Sequence, residues 1–228
     1  MDQLRAENSL YPSYVDLDDL FDVARLRSLD GYIAERLRGR LRRRACDLAF
    51  YTGPFVHREG DSALPGSQMV YLSQSIREDA YYDLDDPAIW RPSDDAAGFA
   101  ELLDLIATLP FAATARMLIM YDGSGRAVTA HKDHDVAEIC HEFIWFRTNL
   151  CKPFYMLDPQ TAEKRYVTSH SAWFDTVNQF HGADASDGLS FSIRVDGVFT
   201  EAFRSLIPDP GANRAAAPAV WAAERAKA

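Results

Sequence analysis

The stretch Thr129-Ala130-His131-Lys132-Asp133-His134-Asp135 sets two histidines and two aspartates within five consecutive positions, and His141 and His181 follow further along the chain. A solvated charged loop would read this way. So would one wall of a metal site. His131 and Asp133 are two residues apart, so on a strand end they share a face. With His181 at the end of another strand they would supply two imidazoles and one carboxylate. Such a set holds divalent iron without saturating it and leaves positions open for a bidentate co-substrate and for O2. His134 is the rival for His131. It sits at the opposite parity from Asp133, and its spacing to His141 is not a compact metal spacing, so the pairing through His131 is preferred. His57 and His170 lie near turn-like segments and read as exposed.

These residues need strands to bring them together. Up to about residue 110 the pattern is mainly helical. Leu26, Leu29, Ile33, Leu37 and Leu41 recur at three and four, the stripe of an amphipathic helix. Gly31 and Gly39 weigh against one continuous helix. Ser67-Gln68-Met69-Val70-Tyr71-Leu72-Ser73 reads as a short strand, with turn-rich chain before it and an acidic, proline-punctuated loop over 83–95. A second helix starts at Ser93–Asp95, buries Leu102, Leu103, Ile106 and Leu109, and stops at Pro110.

Beyond Pro110 the period becomes two. The segments 114–121, 126–131, 142–149, 153–158, 164–169, 171–181 and 189–199 are short and rich in β-branched or aromatic residues, with turn signals between them. Seven or eight such strands predict a sandwich or barrel, with the helices covering one sheet. The expected organisation is a single domain over 1–207, with its β core at about 112–200 and a Pro/Ala-rich tail over 208–228 that Trp221 could anchor.

Strand alternation then sorts the side chains. In 190–196, Phe191, Ile193 and Val195 form the apolar set, and Ser190, Ser192, Arg194 and Asp196 the polar one. In a barrel clad in helices the apolar set packs outward and Arg194 points in. An inward arginine needs an anion, and its fork matches a carboxylate, so an acidic ligand is the expectation. His141 shares a face with Phe143, Trp145, Arg147 and Asn149 on the strand that it begins. It reads as a hydrogen-bonded core histidine, while Arg147 and Asn149 are candidate interior groups for a co-substrate or substrate.

The bulk numbers bound the partners. The chain has 228 residues, 47% hydrophobic and 12% aromatic, with a formal net charge of −10. Acidity argues against nucleic-acid backbone binding, which needs Lys and Arg to displace counterions. The run Arg36, Arg38, Arg40, Arg42, Arg43 and Arg44 reads as a solvated helix face balanced by Asp16, Asp18, Asp19, Asp22 and Asp30, or else as a place for an acidic partner. Three cysteines, Cys46, Cys140 and Cys151, form no C-x-x-C pair, which argues against a disulfide framework or a thiolate zinc site. No stretch has signal-peptide or membrane-span character, so the expected location is cytoplasmic and no membrane partner is expected.

With these residues in place, 112–200 resembles the Fe(II)/2-oxoglutarate-dependent dioxygenase superfamily. The matching features are H-x-D at His131-Lys132-Asp133, the distal His181 in Asn178-Gln179-Phe180-His181-Gly182-Ala183-Asp184, and Arg194 thirteen positions after His181. The segments 141–149 and 173–184 also look like the aspartyl/asparaginyl β-hydroxylase-like branch, some of whose members lack the carboxylate that Asp133 provides here. The resemblance implies an α+β fold around a double-stranded β-helix, the cupin-like jelly-roll barrel. It implies Fe(II) on His131, Asp133 and His181, with 2-oxoglutarate and O2 as co-substrates. Arg194, helped by Ser192, would take the far carboxylate of 2-oxoglutarate. Oxidative decarboxylation would then be coupled to hydroxylation of a C–H bond, and Asp133 speaks against halogenation. Trp145, Trp173, Phe180 and Tyr155 are available to line the mouth. Compact size and the lack of added recognition modules lean toward a small molecule, such as an amino acid or natural-product intermediate, with a protein or peptidyl substrate as the other reading. A metal-dependent cupin enzyme that does not use 2-oxoglutarate, and a non-enzymatic barrel that binds a small acid, are the alternatives.

Overall fold

A strand comes before the helices. β1 (Val15–Asp16) leads through a 3-10 turn at Asp18–Leu20 into α1 (Val23–Ser28) and α2 (Asp30–Cys46). The computed structural model describes residues 14–46, 67–77, 84, 86–123, 125–133, 142–158, 161–176 and 179–207. His57, His134, His141, Cys140, Trp221 and the 208–228 tail lie outside the described residues, as do the side chains of Arg40, Leu41, Arg42, Arg43, Arg44 and Cys46. The apolar stripe is carried by two helices, as the doubt over one continuous helix anticipated. The break falls at Leu29 rather than at a glycine, and Gly31 and Gly39 both lie inside α2. Asp22 caps α1 by accepting from the Arg25 N–H at 2.9 Å. Leu26, Leu29, Ile33 and Leu37 are all buried, so one apolar stripe continues across the break.

Next come β2 (Ser67–Tyr71) and a small hairpin-like pair, β3 (Ser73–Ser75) with β4 (Trp90–Pro92). The stretch expected as loop over 83–95 thus carries a strand and a 3-10 turn, Pro87–Ile89. A further 3-10 turn at Ala96–Phe99 precedes α3 (Ala100–Ile106), so the second helix starts later than expected. The turn also changes which residues share its inner face. Leu102, Leu105 and Ile106 are buried at spacings of three and four, whereas Leu103 is only half-buried.

Eight strands follow: β5 (Phe111–Asp122), β6 (Val128–His131), β7 (Phe143–Phe146), β8 (Phe154–Leu157), β9 (Lys164–Tyr166), β10 (Ser171–Trp173), β11 (Phe180–Ala183) and β12 (Ser190–Phe199). α4 (Glu201–Arg204) closes the described chain. The segment 171–181, read from sequence as one strand, is two. Phe174–Gln179 lies between them, and the Gln179 N–H donates to the Asp175 carbonyl at 2.9 Å. The larger sheet runs β1-β10-β7-β12-β5-β2 and the smaller β6-β11-β8-β9. The pairs are antiparallel, and β5 to β12 divide four to each sheet, so the chain crosses between sheets repeatedly. That is a jelly-roll, the double-stranded β-helix. β1 and β2 extend the larger sheet from the half of the chain read as mainly helical.

The odd residues of β12 belong to the apolar core. Ile193 and Val195 are fully buried together with Ile144, Phe146 and Ile119 of the neighbouring strands and with Leu26, Ile33, Leu37, Leu102 and Leu105 of the helices. Each such side chain contributes about 1.5–3 kcal/mol by leaving water. The even residues face the other way. Arg194 lies over the Phe143 ring, 4.1 Å from its centroid, on the face that meets the smaller sheet. Gly197 marks a register shift in the β12–β5 pairing, where a Cβ would come within 2.3 Å of the Ala113 carbonyl oxygen. Among the described residues no helix is long and apolar enough to cross a membrane.

Candidate metal centre

β6 ends at His131 and β11 carries His181, and the two are direct partners in the pairing of those strands. The register shifts just after, between His181 and Ala183. Gly182 occupies that point. A Cβ there would lie 2.7 Å from the Val128 carbonyl oxygen, which is backbone, and 2.7 Å from the Tyr155 hydroxyl, so only a residue without one lets β6 close on β11. The imidazole centroids are consequently 4.6 Å apart. Asp133 follows the end of β6, where its N–H donates to the Thr176 carbonyl at 2.9 Å. The turn that splits 171–181 therefore anchors the carboxylate.

Both imidazoles are oriented alike. Nδ1 of His131 is 2.9 Å from the Thr129 carbonyl oxygen, and Nδ1 of His181 is 3.3 Å from that of Gln179. A carbonyl can only accept, so Nδ1 carries a proton on each ring, and Nε2 is the nitrogen turned toward Asp133 and left to serve a metal, as in most metal-bound histidines. Nε2 of His181 lies 3.2 Å from Asp133 Oδ1, and Nε2 of His131 lies 3.9 Å from the same oxygen. One ligand atom from each of the three residues falls within 4.8 Å of the others. Neighbouring ligands of a divalent ion with bonds of about 2.1 Å sit about 3 Å apart on an octahedral face. The Asp133–His181 pair already has that spacing, and His131 must close by about 1 Å on Asp133 and by up to about 2 Å on His181. The donor set fits a divalent transition-metal ion.

The electrostatics suit the same use. Burial alone would raise the Asp133 pKa, but the hydrogen bond and charge of His181 and the guanidinium of Arg194 hold it well below the usual carboxylate range. Burial, and then the neighbouring His181, lower the pKa of His131. An ionised carboxylate and a neutral imidazole are the states in which these groups bind metal.

Arg194 points to this cluster, and the chain supplies its anions. Nη1 donates to Asp133 Oδ2 at 2.8 Å and Nε to Asp196 Oδ1 at 2.9 Å. Asp196 is fully buried, and its Oδ2 accepts from Arg116 Nε at 2.9 Å. Burial opposes ionisation of Asp196, yet the two guanidiniums hold its pKa below normal. Ser192 lies on the same face of β12 as Arg194 and is half-buried.

Arg147 and Asn149 are not brought to the cluster. The Arg147 guanidinium donates to the carbonyls of Val167, Ser169 and Lys152 and lies 5.1 Å from the Trp145 ring centroid. Burial among carbonyls lowers its pKa to about 10. The Asn149 amide donates to Asp30 Oδ1 at 2.6 Å and accepts from the Cys151 N–H at 3.1 Å. Both clasp loops together. His170 is likewise half-buried rather than exposed, with Nδ1 3.0 Å from the Arg147 carbonyl oxygen. Asp18 accepts from the N–H groups of His170 and Ser171, and Asp22 and Asp30 serve the cap and the clasp. These aspartates therefore do not simply balance the basic run. Arg36 of that run donates to the Gly98 carbonyl at 2.5 Å and covers the Tyr32 ring.

Sequence reasoning missed four residues at the site: Arg116, Asp196, Phe154 and Phe174. Phe154 and Phe174 pack on His181 with ring centroids 5.9 and 5.5 Å away. Of the aromatics expected at the mouth, Trp145 joins this cluster through Phe154 at 4.6 Å. Tyr155 turns to the opposite face, against Tyr166 and Lys164. Trp173 is buried, and Phe180 is half-buried beneath Lys132. The parity of β8 held the signal for Phe154: Met156 pairs with His181, so Phe154 shares its side and Tyr155 does not.

No family model matches the chain, and no curated protein matches it by sequence. Among solved structures it is similar to a prolyl-4-hydroxylase from Pseudomonas putida, at 11% identity over 87% of this chain and 96% of that one, with a TM-score of 0.44. It is similar to a prolyl hydroxylase from Trichoplax adhaerens, solved with a hypoxia-inducible-factor peptide, at 12% identity over 91% and 90% of the two chains and a TM-score of 0.46. A Burkholderia pseudomallei oxidoreductase of the 2OG-Fe(II) oxygenase family matches at 8% identity over 59% of this chain and 72% of that one, with a TM-score of 0.36.

Proposed function

We propose that the chain is an Fe(II)- and 2-oxoglutarate-dependent oxygenase that hydroxylates a C–H bond of a small molecule, such as an amino acid or natural-product intermediate. Its catalytic domain spans 1–207. The observation that carries this reading is the convergence of two imidazole Nε2 atoms on one oxygen of Asp133 at the joint between β6 and β11. His131, Asp133 and His181 hold the iron. Iron and 2-oxoglutarate, when bound, supply the activation of O2. Arg194 and Ser192, on one face of β12, receive the far carboxylate of 2-oxoglutarate, with Arg194 Nη2 as the nitrogen engaged by neither aspartate. Phe154, Phe174 and Trp145 wall off the His181 side from water.

The test is an anaerobic titration of the metal-free protein with Fe(II) and then 2-oxoglutarate, followed in the visible spectrum. A weak charge-transfer band that requires both additions is expected. No band despite bound Fe(II) would indicate a metal-dependent cupin that does not use 2-oxoglutarate. No metal binding would return 131–135 to a charged loop.

A further inference from the structure

The two oxygens of Asp133 face different partners. Oδ1 faces both imidazoles, 3.2 Å from His181 Nε2 and 3.9 Å from His131 Nε2. Oδ2 accepts from Arg194 Nη1 at 2.8 Å. The guanidinium is itself fixed at its other end, with Nε 2.9 Å from Asp196 Oδ1 and the plane 4.1 Å from the Phe143 centroid. Asp196 is fixed in turn by Arg116, which is 5% exposed, while Asp196 is fully buried. Charges therefore alternate from Arg116 through Asp196 and Arg194 to Asp133. A buried charge chain is not more stabilising than apolar packing of the same volume. What this chain adds is orientation: a planar fork pinned at Nε and stacked on a ring can present Nη1 in one direction only.

We infer that Arg194 is a positioning residue for the metal: it occupies Oδ2 and so holds Asp133 as a ligand through Oδ1 alone, while Asp196, neutralised by Arg116, holds Arg194 in place. The inference rests on the reading that His131, Asp133 and His181 bind a divalent ion. A carboxylate released at Oδ2 can chelate with both oxygens. It would then fill one of the positions that a bidentate co-substrate and O2 require. Asp196 and Arg116 thereby help to keep the ion open without touching it.

Mn(II) alone, added to the full-length chain, is the probe. The broadening of its magnetic-resonance lines by 17O-labelled water counts coordinated waters. The wild type is expected to keep roughly three, and Arg194→Met about one fewer. Equal counts in the wild type and Arg194→Met overturn the inference. Failure of the wild type to bind Mn(II) at all instead overturns the metal reading beneath it. Arg194→Met leaves Asp196 paired with Arg116, which favours folding. A second measurement needs no variant. On adding Mn(II) to the wild type, the infrared stretches of the coordinated carboxylate should separate widely, as for one-oxygen ligation, and a narrow separation also overturns the inference.

Discussion

His181 stands directly opposite His131 across the β11–β6 pairing, with the ring centroids 4.6 Å apart, and the residue that permits this is Gly182. The two histidines come from distant parts of the sequence. Their separation is set by how closely two backbones approach, not by either side chain.

Gly182→Ala therefore tests the joint. The added Cβ would lie 2.7 Å from the Val128 carbonyl oxygen, which is backbone, so β6 must move. Overpacking of this kind costs about 1–3 kcal/mol. The expected outcome is a lower urea midpoint and a weaker Mn(II) affinity by roughly tenfold, about 1.4 kcal/mol, because His131 rides on β6. Calorimetric titration of the folded variant checks it. An unchanged affinity would mean that the site tolerates separation of the two strands.

Metal retention should depend on pH through His131. Burial and His181 place its folded pKa below the ordinary value of about 6.5. The folded apoprotein thus binds fewer protons than the unfolded chain as pH falls below about 6.5, and stability declines with acidity through that window down to the folded value. Asp133 remains ionised throughout, since its pKa is held well below the carboxylate range. Mn(II) affinity should be flat above neutral pH. Once His131 protonates, it should fall by up to about tenfold per pH unit. Titrations run from pH 8 downward, with protonation of His131 followed by NMR, would show it, and an affinity that stays flat while His131 protonates would remove it from the ligand set.

Asp196 offers a stability test. It is fully buried between Arg116 and Arg194, so Asp196→Ala removes the carboxylate that two buried guanidiniums share, a change of about 3–5 kcal/mol. The folded pKa of Asp196 is depressed. Its contribution is therefore complete above the unfolded value of about 3.9 and is lost as pH falls through the folded one. Asp196→Asn should start less stable at neutral pH and lose less on acidification. Urea unfolding at two pH values measures both quantities.

Much of this site is legible in the sequence because period-two patterns carry parity. Parity pairs His131 with Asp133 and separates Arg194 from Ile193 and Val195. What parity does not carry is which polar group meets which. Arg194 called for an anion, and although parity sets Asp196 on its own face, nothing local to it shows that Asp133 is the second partner. Arg116 meets Asp196 only because β5 lies beside β12 in the larger sheet. The same limit applies to Arg147 and Asn149. Their parity suggested an interior role, but the partners that consume their donors sit on neighbouring loops and on α2, and nothing in the strand's own pattern points to them. The break between β10 and β11 is hidden in the sequence because Asp175 stands inside an otherwise strand-like run.

Arg147 makes the last distinction testable. If its guanidinium is a clasp, Arg147→Met leaves the carbonyls of Val167, Ser169 and Lys152 without their donor. A buried carbonyl left unmet costs about 1–3 kcal/mol before water enters, so a loss of roughly 2–4 kcal/mol in urea unfolding is expected. Mn(II) affinity should stay within about twofold, since the guanidinium contacts none of the three candidate ligands. Had Arg147 instead served the co-substrate, the pattern would invert. Stability would change little, and the anaerobic Fe(II) spectrum would need far more 2-oxoglutarate to develop. Both quantities can be read on one preparation of the variant. A stable Arg147→Met protein with weakened 2-oxoglutarate binding would return Arg147 to the co-substrate site, and an unstable one that still develops the band would keep it as a fastener of the barrel.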